Sequence, residues 1–183
     1  DVVSGYAGGS SDNPTYGNYA DDGHREVVLV TYDPTIVTFG NLVEHTIKYG
    51  DPTDIGGSFG DRGEQYAPAI YYETDAEKAE ANRVIRAVDS LGVFAGPLPL
   101  RVIPRVPFWP AEEYHQDFAA KNPLRYLYYR NASGRDAFIE KYWGEAAASF
   151  TVPPAKTSDT GTSTPVSKEG AWALFAKPDT EQL

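Results

Sequence analysis

The chain of 183 residues contains no cysteine and no methionine. Without cysteine it can form no disulfide, no thiolate metal site and no thiol nucleophile of its own. Cysteine and methionine are also the two readily oxidised sulfur side chains. Their joint absence fits either chance or selection against oxidation in an oxidising or organellar compartment. No apolar run approaches the roughly 20 residues of a membrane-spanning helix. Positive charge is scarce: 16 Lys and Arg face 26 Asp and Glu, a net charge of −10. Such a balance repels phosphate backbones and anionic lipid, which excludes nucleic acid as an expected partner. The three histidines, His24, His45 and His115, are scattered and give no metal-ligand spacing. No glycine-rich loop followed by Lys offers a phosphate cradle.

Hydrophobic residues make up 41% of the chain and aromatics 13%, enough for a sizeable core. Val27 to Tyr32 reads as a strand covered on both faces, stopped by Asp33-Pro34. Val2–Tyr6 looks like the end of another strand, followed by a loop through Gly8, Gly9 and Pro14. Thr38 is a helix N-cap before Phe39, Leu42, Val43, Thr46 and Ile47, which share one helical face, with Gly50 as the left-handed closing residue. Residues 51–65, rich in Gly and Asp, are expected to be irregular. A strand is expected over 67–73, and a helix with a Thr74/Glu77 capping box from there to Leu91. Leu98–Val106 reads as a strand, at an edge because of Pro104. Pro110 opens an expected short helix over Ala111–Ala120, ended by Asn122-Pro123. Tyr126–Tyr129 reads as a packed strand or turn. A last helix starts at Ser133 with Phe138, Ile139, Tyr142 and Trp143 inward, and Asn131-Ala132-Ser133 is a short sequon pattern common by chance.

Strands alternating with helices give an α/β two-layer domain over residues 1–150. From Thr151 the composition turns to Thr, Ser, Pro, Gly and Lys, a linker composition, before the apolar segment Ala171–Phe175. Residues 151–183 are therefore read as a linker and docking tail. Its target is this domain or another chain.

Five stretches in order carry a resemblance: Gly5-Tyr6-Ala7-Gly8-Gly9, Asn13-Pro14-Thr15-Tyr16, Gly23 to Pro34, Asp61-Arg62-Gly63-Glu64-Gln65-Tyr66, and Phe108 to Phe118 with Asn122-Pro123. Together they resemble the A-type peptide methionine sulfoxide reductases. The resemblance implies a ferredoxin-like α/β core with long loops, no bound cofactor, and thioredoxin or another thiol as reductant. It also implies methionine sulfoxide, in a peptide or protein, as substrate. In that family a thiolate attacks the sulfoxide sulfur while an acid protonates the departing oxygen and phenol hydroxyls share it. The resemblance makes Glu26 the acid, Tyr16 and Tyr66 the hydroxyl donors, and Asp61 a support of the far side of the pocket.

Each of these residues has a plainer explanation when taken alone. Glu26 would be solvated at a strand start, Tyr16 a packing anchor, Asp61 a turn residue and Tyr66 a core aromatic. Four matches in family order favour the site. The family's nucleophile lies in a Gly-Cys-Phe-Trp segment a strand and a helix ahead of Gly5, and this chain has neither that segment nor any cysteine. A second departure is Gly50 before Asp51-Pro52, where the family usually has His. The expectation is a reductase-like domain without its cysteine, acting as a non-catalytic subunit or scaffold. The alternatives are an active reductase whose Cys-bearing segment is missing from these residues, and a module that binds methionine sulfoxide. The family's cysteine strand lies inside the sheet, so the gap it leaves is expected to be filled by a partner strand or by residues ahead of Asp1, rather than by Ala171–Phe175, which is short and poor in β-branched residues.

Overall fold

The computed structural model describes residues 1–155, the backbone of 171–176 and the Phe175 side chain. Six strands form one sheet in the order β6-β5-β8-β2-β1-β7. They are β1 (Val2–Ala7), β2 (Arg25–Tyr32), β5 (Ala69–Tyr72), β6 (Arg101–Pro104), β7 (Phe108–Pro110) and β8 (Ala171–Ala176). β5 and β6 run parallel, and every other pairing in this sheet is antiparallel. A second, minimal ladder joins β3 (Gly57–Ser58) to β4 (Asp61–Arg62).

Helices α1 (Phe39–Tyr49) and α2 (Asp75–Ser90) pack on one face of the sheet. Both begin with capping boxes, Thr38 with Asn41 and Thr74 with Glu77, which satisfy otherwise orphaned N–H groups. Leu42, Val43 and Ile47 from α1 meet Ala81, Val84, Ile85 and Val88 from α2 over Val28, Val30 and Ile70. A smaller cluster of Ala7, Val27, Ala69 and Tyr71 covers the opposite face, so β2 is enclosed on both sides for most of its length. The α/β two-layer expectation holds.

The C-terminal region departs most from the sequence reading. Thr151 and Val152 are already part of the packed body, with Val152 in the core. β8 enters the sheet between β2 and β5, pairing Val28 with Phe175 and Ile70 with Phe175. Phe175 is fully buried and stacks against Phe39, ring centroids 6.2 Å apart. The docking segment thus lands on its own domain rather than on a partner. Pairing on both sides, with one large aromatic in the core, outweighs weak strand propensity. The linker read over 151–168 lies, from residue 156, outside the described residues.

Other corrections are local. Gly50 closes α1 with its N–H on the Thr46 carbonyl, but at φ −105°, not in the left-handed region. Residues 51–65 contain the β3–β4 ladder and the start of a 3₁₀ turn, Glu64–Tyr66. Pro110 ends strand β7 instead of starting a helix, because Gly5, Tyr6 and Ala7 of β1 pair with it. A 3₁₀ turn at Glu113–His115 and α3 (Phe118–Lys121) follow. Pro123 then opens α4 (Pro123–Ser133), so Tyr126–Tyr129 is helical. Gly134, left-handed at φ 80°, joins α4 to α5 (Arg135–Tyr142).

Gly5 is held to its identity by the β1–β7 contact. A Cβ there would collide with the Phe108 ring and the Trp109 carbonyl. Gly5→Ala should therefore destabilise the domain by roughly 1–3 kcal/mol through overpacking. Urea unfolding measures this, and an unchanged midpoint would show that β7 yields without cost.

Candidate active site

The site forms where β1 and β2 leave the core. Side chains alternate along a strand, so Glu26 shares a face with Val28 and Val30 but lies beyond the helices that cover them. Glu26 is directly opposite Tyr6 on β1. It is 7% exposed, and Tyr6 is 1% exposed. Ser4, Gly5, Tyr6, Glu26, Val27, Ala111 and His115 line a small recess here.

Tyr19 comes from the loop between β1 and β2, in a turn where its N–H bonds the Thr15 carbonyl. Its hydroxyl donates to Glu26 Oε1 at 2.6 Å, and its oxygen lies 3.1 Å from the Tyr66 hydroxyl. Its ring stacks on Tyr6 with centroids 4.7 Å apart. Burial, the Glu26 bond and the Tyr66 contact push the Tyr19 phenol far above its ordinary value.

A second carboxylate, Glu112, organises the outer side. One oxygen accepts the Tyr16 N–H at 2.9 Å and the other accepts the Tyr6 hydroxyl at 2.8 Å. Burial works against its charge, yet these donors and His115 hold the Glu112 carboxyl below the usual range. Tyr16 is 53% exposed, with its ring 5.1 Å from that of His115 and 6.0 Å from that of Tyr19. Gln116 fastens the same segment to β1, accepting the Ser4 N–H and donating to the carbonyls of Ser4 and Ala111.

Tyr66 stands at the end of the 3₁₀ turn that follows β4. Burial raises its phenol most, and the charges of Glu26 and Asp61 and the neighbouring Tyr16 raise it further against the Tyr19 hydrogen bond. Asp61 on β4 accepts a hydrogen bond from the Tyr129 hydroxyl on α4. The turn is anchored by Glu64, which pairs with Arg25 and with Arg101, the latter at 2.5 Å.

The structure joins Glu26 to Tyr66 through Tyr19 and sets the exposed Tyr16 ring 6.0 Å from that of Tyr19, while Asp61 is bonded to Tyr129 and acts on Tyr66 through its charge. Sequence reasoning missed Tyr19, gave Glu112 no role and misplaced Tyr129. Tyr19 had a usable signal: it is three residues after Tyr16 and seven before Glu26, in the same loop-to-strand passage. His24 is structural. Its Nδ1 accepts the Gly9 N–H at 3.1 Å and its Nε2 faces the Ser11 carbonyl at 3.0 Å, closing the loop beneath Tyr19. Among the described residues no group of His, Asp and Glu is arranged to hold a metal ion, and no helix is long and apolar enough to cross a membrane.

Chemically, a buried carboxyl bonded in series to two phenols can hold and deliver a proton to a small polar oxygen placed beside it. A family model described as "Peptide methionine sulfoxide reductase" matches residues 1–147. The chain is 49% identical over 146 residues to the peptide methionine sulfoxide reductase MsrA/MsrB of Vibrio cholerae, covering 79% of this chain and 39% of that protein. It is 44% identical over 149 residues to peptide methionine sulfoxide reductase MsrA 2 of Staphylococcus aureus, covering 80% of this chain and 84% of that one. Among solved structures it is similar to methionine sulfoxide reductase A of Corynebacterium diphtheriae, at TM-score 0.57 and 30% identity, covering 68% and 64% of the two chains. It is also similar to Mxr1 from Saccharomyces cerevisiae in reduced form, at TM-score 0.61 and 26% identity, covering 67% and 71%.

Proposed function

We propose, because the chain belongs to the peptide methionine sulfoxide reductase family, that residues 1–183 form the acid and binding part of a sulfoxide-reducing site whose thiol comes from outside them. The observation that carries this is the Glu26–Tyr19–Tyr66 group, a buried carboxyl bonded to one phenol and through it to a second, with Glu26 lining a small recess. A surface carboxylate or a packing tyrosine needs no such arrangement.

In this reading the sulfoxide oxygen of a methionine sulfoxide residue lies toward Glu26, with Tyr16 and Tyr66 as its hydroxyl neighbours and Asp61 behind Tyr66. A thiolate attacks the sulfoxide sulfur, forming an S–S bond as the S–O bond breaks and the oxygen takes up a proton and leaves as hydroxide. That hydroxide then bonds to the thiol sulfur, the S–S bond breaks with its electron pair going to the methionine sulfur, and the thiol is left as a sulfenic acid beside free methionine. The proton on that oxygen comes from Glu26, which is recharged from solvent. A dithiol such as thioredoxin then reduces the sulfenic acid, releasing water.

A second reading is favoured by the sequence itself. It contains no cysteine, so a domain that keeps the fold and serves a larger assembly without catalysis is the other candidate. One experiment separates the two. The purified chain should not reduce a methionine sulfoxide peptide with dithiothreitol or thioredoxin. The chain joined to a Gly-Cys-Phe-Trp segment ahead of Asp1 should reduce it. Glu26→Gln in that joined chain should lower kcat by about 10²–10³, the usual cost of removing one group that stabilises the departing oxygen. No turnover by the joined chain, although folded, leaves the non-catalytic reading. Turnover by the unjoined chain defeats both.

A further inference from the structure

We propose that Tyr19 is a positioning residue for this site: its hydroxyl fixes the Glu26 carboxyl and couples it to Tyr66. The inference rests on the reading that Glu26 and Tyr66 face the sulfoxide oxygen.

The geometry leaves the hydroxyl one arrangement. Tyr19 is 4% exposed and Glu26 is 7% exposed, so neither group relies on bulk water for its partner. A phenol has one proton. Glu26 Oε1 accepts it at 2.6 Å, short for an O–H to oxygen bond, which leaves Oε2 as the oxygen that carries the carboxyl proton before it is given up. The Tyr19 proton therefore belongs to that bond. The Tyr66 hydroxyl lies 3.1 Å from the same Tyr19 oxygen, so Tyr19 is in hydrogen-bond contact with both groups. The three groups are thus joined through the Tyr19 oxygen, Tyr66 on one side and Glu26 on the other. When Glu26 gives up a proton, the Tyr19 hydroxyl is already aimed at the charge that appears. No reorganisation is needed at that moment, which is the condition for efficient electrostatic stabilisation.

The ring is held for this purpose from two sides. It stacks on Tyr6, whose own hydroxyl is tied to Glu112, and its backbone is pinned by Thr15 and by the His24 N–H on the Tyr19 carbonyl at 2.8 Å. A residue there for bulk alone would satisfy the stack as phenylalanine. The hydroxyl is the part that the stack does not explain.

Tyr19→Phe tests this in the chain as it stands, with N-acetyl-methionine sulfoxide as the probe. Calorimetry should show the wild-type chain binding the sulfoxide in preference to N-acetyl-methionine, and the variant binding it about tenfold more weakly, the scale of a lost hydrogen bond to a charged group. Carbon-13 signals of the Glu26 carboxyl and the Tyr66 Cζ should also move in the variant without ligand, while those of Tyr128, exposed on α4, stay in place. Wild-type affinity with unmoved signals would overturn the proposal and leave Tyr19 as a packed aromatic. If the wild-type chain binds no sulfoxide, the functional reading of the site falls, and the two carbon signals alone decide the Tyr19 coupling. Should the phenylalanine variant fail to fold, Tyr19→3-fluorotyrosine keeps the ring and the hydroxyl. Its fluorine signal should then shift on Glu26→Gln, and no shift would overturn the proposal.

Discussion

Glu44→Gln should lower the thermal midpoint of the domain by roughly 10 °C. Glu44 is fully buried in α1 and pairs with Lys48, 1% exposed, one turn later at 3.0 Å. The pair clamps the returning chain. Glu44 accepts the Thr151 N–H and hydroxyl at 2.6 Å each and the Val152 N–H at 3.0 Å. Lys48 donates to the carbonyls of Ala146, at 2.8 Å, and Ser149, and its ammonium lies 5.4 Å from the Trp143 ring centroid. Removing one partner leaves a buried charge uncompensated, which costs roughly 3–5 kcal/mol. In a protein of this size each kcal/mol moves the midpoint by about 2–4 °C. Glu44→Leu combined with Lys48→Met should recover much of the loss, because an apolar pair removes both desolvation costs. Calorimetry of the three variants checks this, and a shift of a degree or less for Glu44→Gln would show that water reaches the pair.

The sign of the pH dependence follows from the same carboxyl. Burial alone raises its pKa, but Thr151, Lys48 and Val152 outweigh that and hold it below the ordinary glutamate value. A lowered folded value gives stability that is present above the unfolded pKa, about 4.3, and is lost as pH falls through the folded one. The gap between wild type and Glu44→Gln should therefore narrow in acid, which urea unfolding at pH 7 and pH 3.5 measures.

Truncation after Ala155 should abolish cooperative unfolding. Among the described residues β8 joins β2 to β5 in the sheet order, so its loss leaves two separate pieces, β2-β1-β7 and β5-β6. Each gains a row of unpaired N–H and C=O groups. Phe175→Ala, which keeps the strand, should cost roughly 3–5 kcal/mol through the cavity under Phe39, Val28 and Ile70. Urea titration of both proteins decides the matter. A truncated chain with the wild-type midpoint and slope would show that β8 adds nothing to the folding unit.

What the sequence disclosed was local. Thr38 and Thr74 announce their helices because a cap needs nothing beyond three residues. β2 is legible because a run from Val27 to Tyr32 has few other ways to be buried. Misreadings arose where a distant partner decides. Phe108-Trp109-Pro110 becomes a strand because β1 offers it an edge, and Ala171–Ala176 because two strands await it. The candidates Glu26, Tyr16, Asp61 and Tyr66 each lie in a motif. Tyr19 lay between two motifs, and its role depends on a ring stack and two oxygen contacts that no spacing encodes.

Both outermost strands end in proline, Pro104 in β6 and Pro110 in β7. A proline offers no N–H to an arriving strand, so neither border can extend the ladder along its whole length. With a net charge of −10, copies that drift together also repel. The sheet is thus terminated chemically at both sides, and a crowded solution of this domain should resist growing into fibres even though its strands are short and apolar.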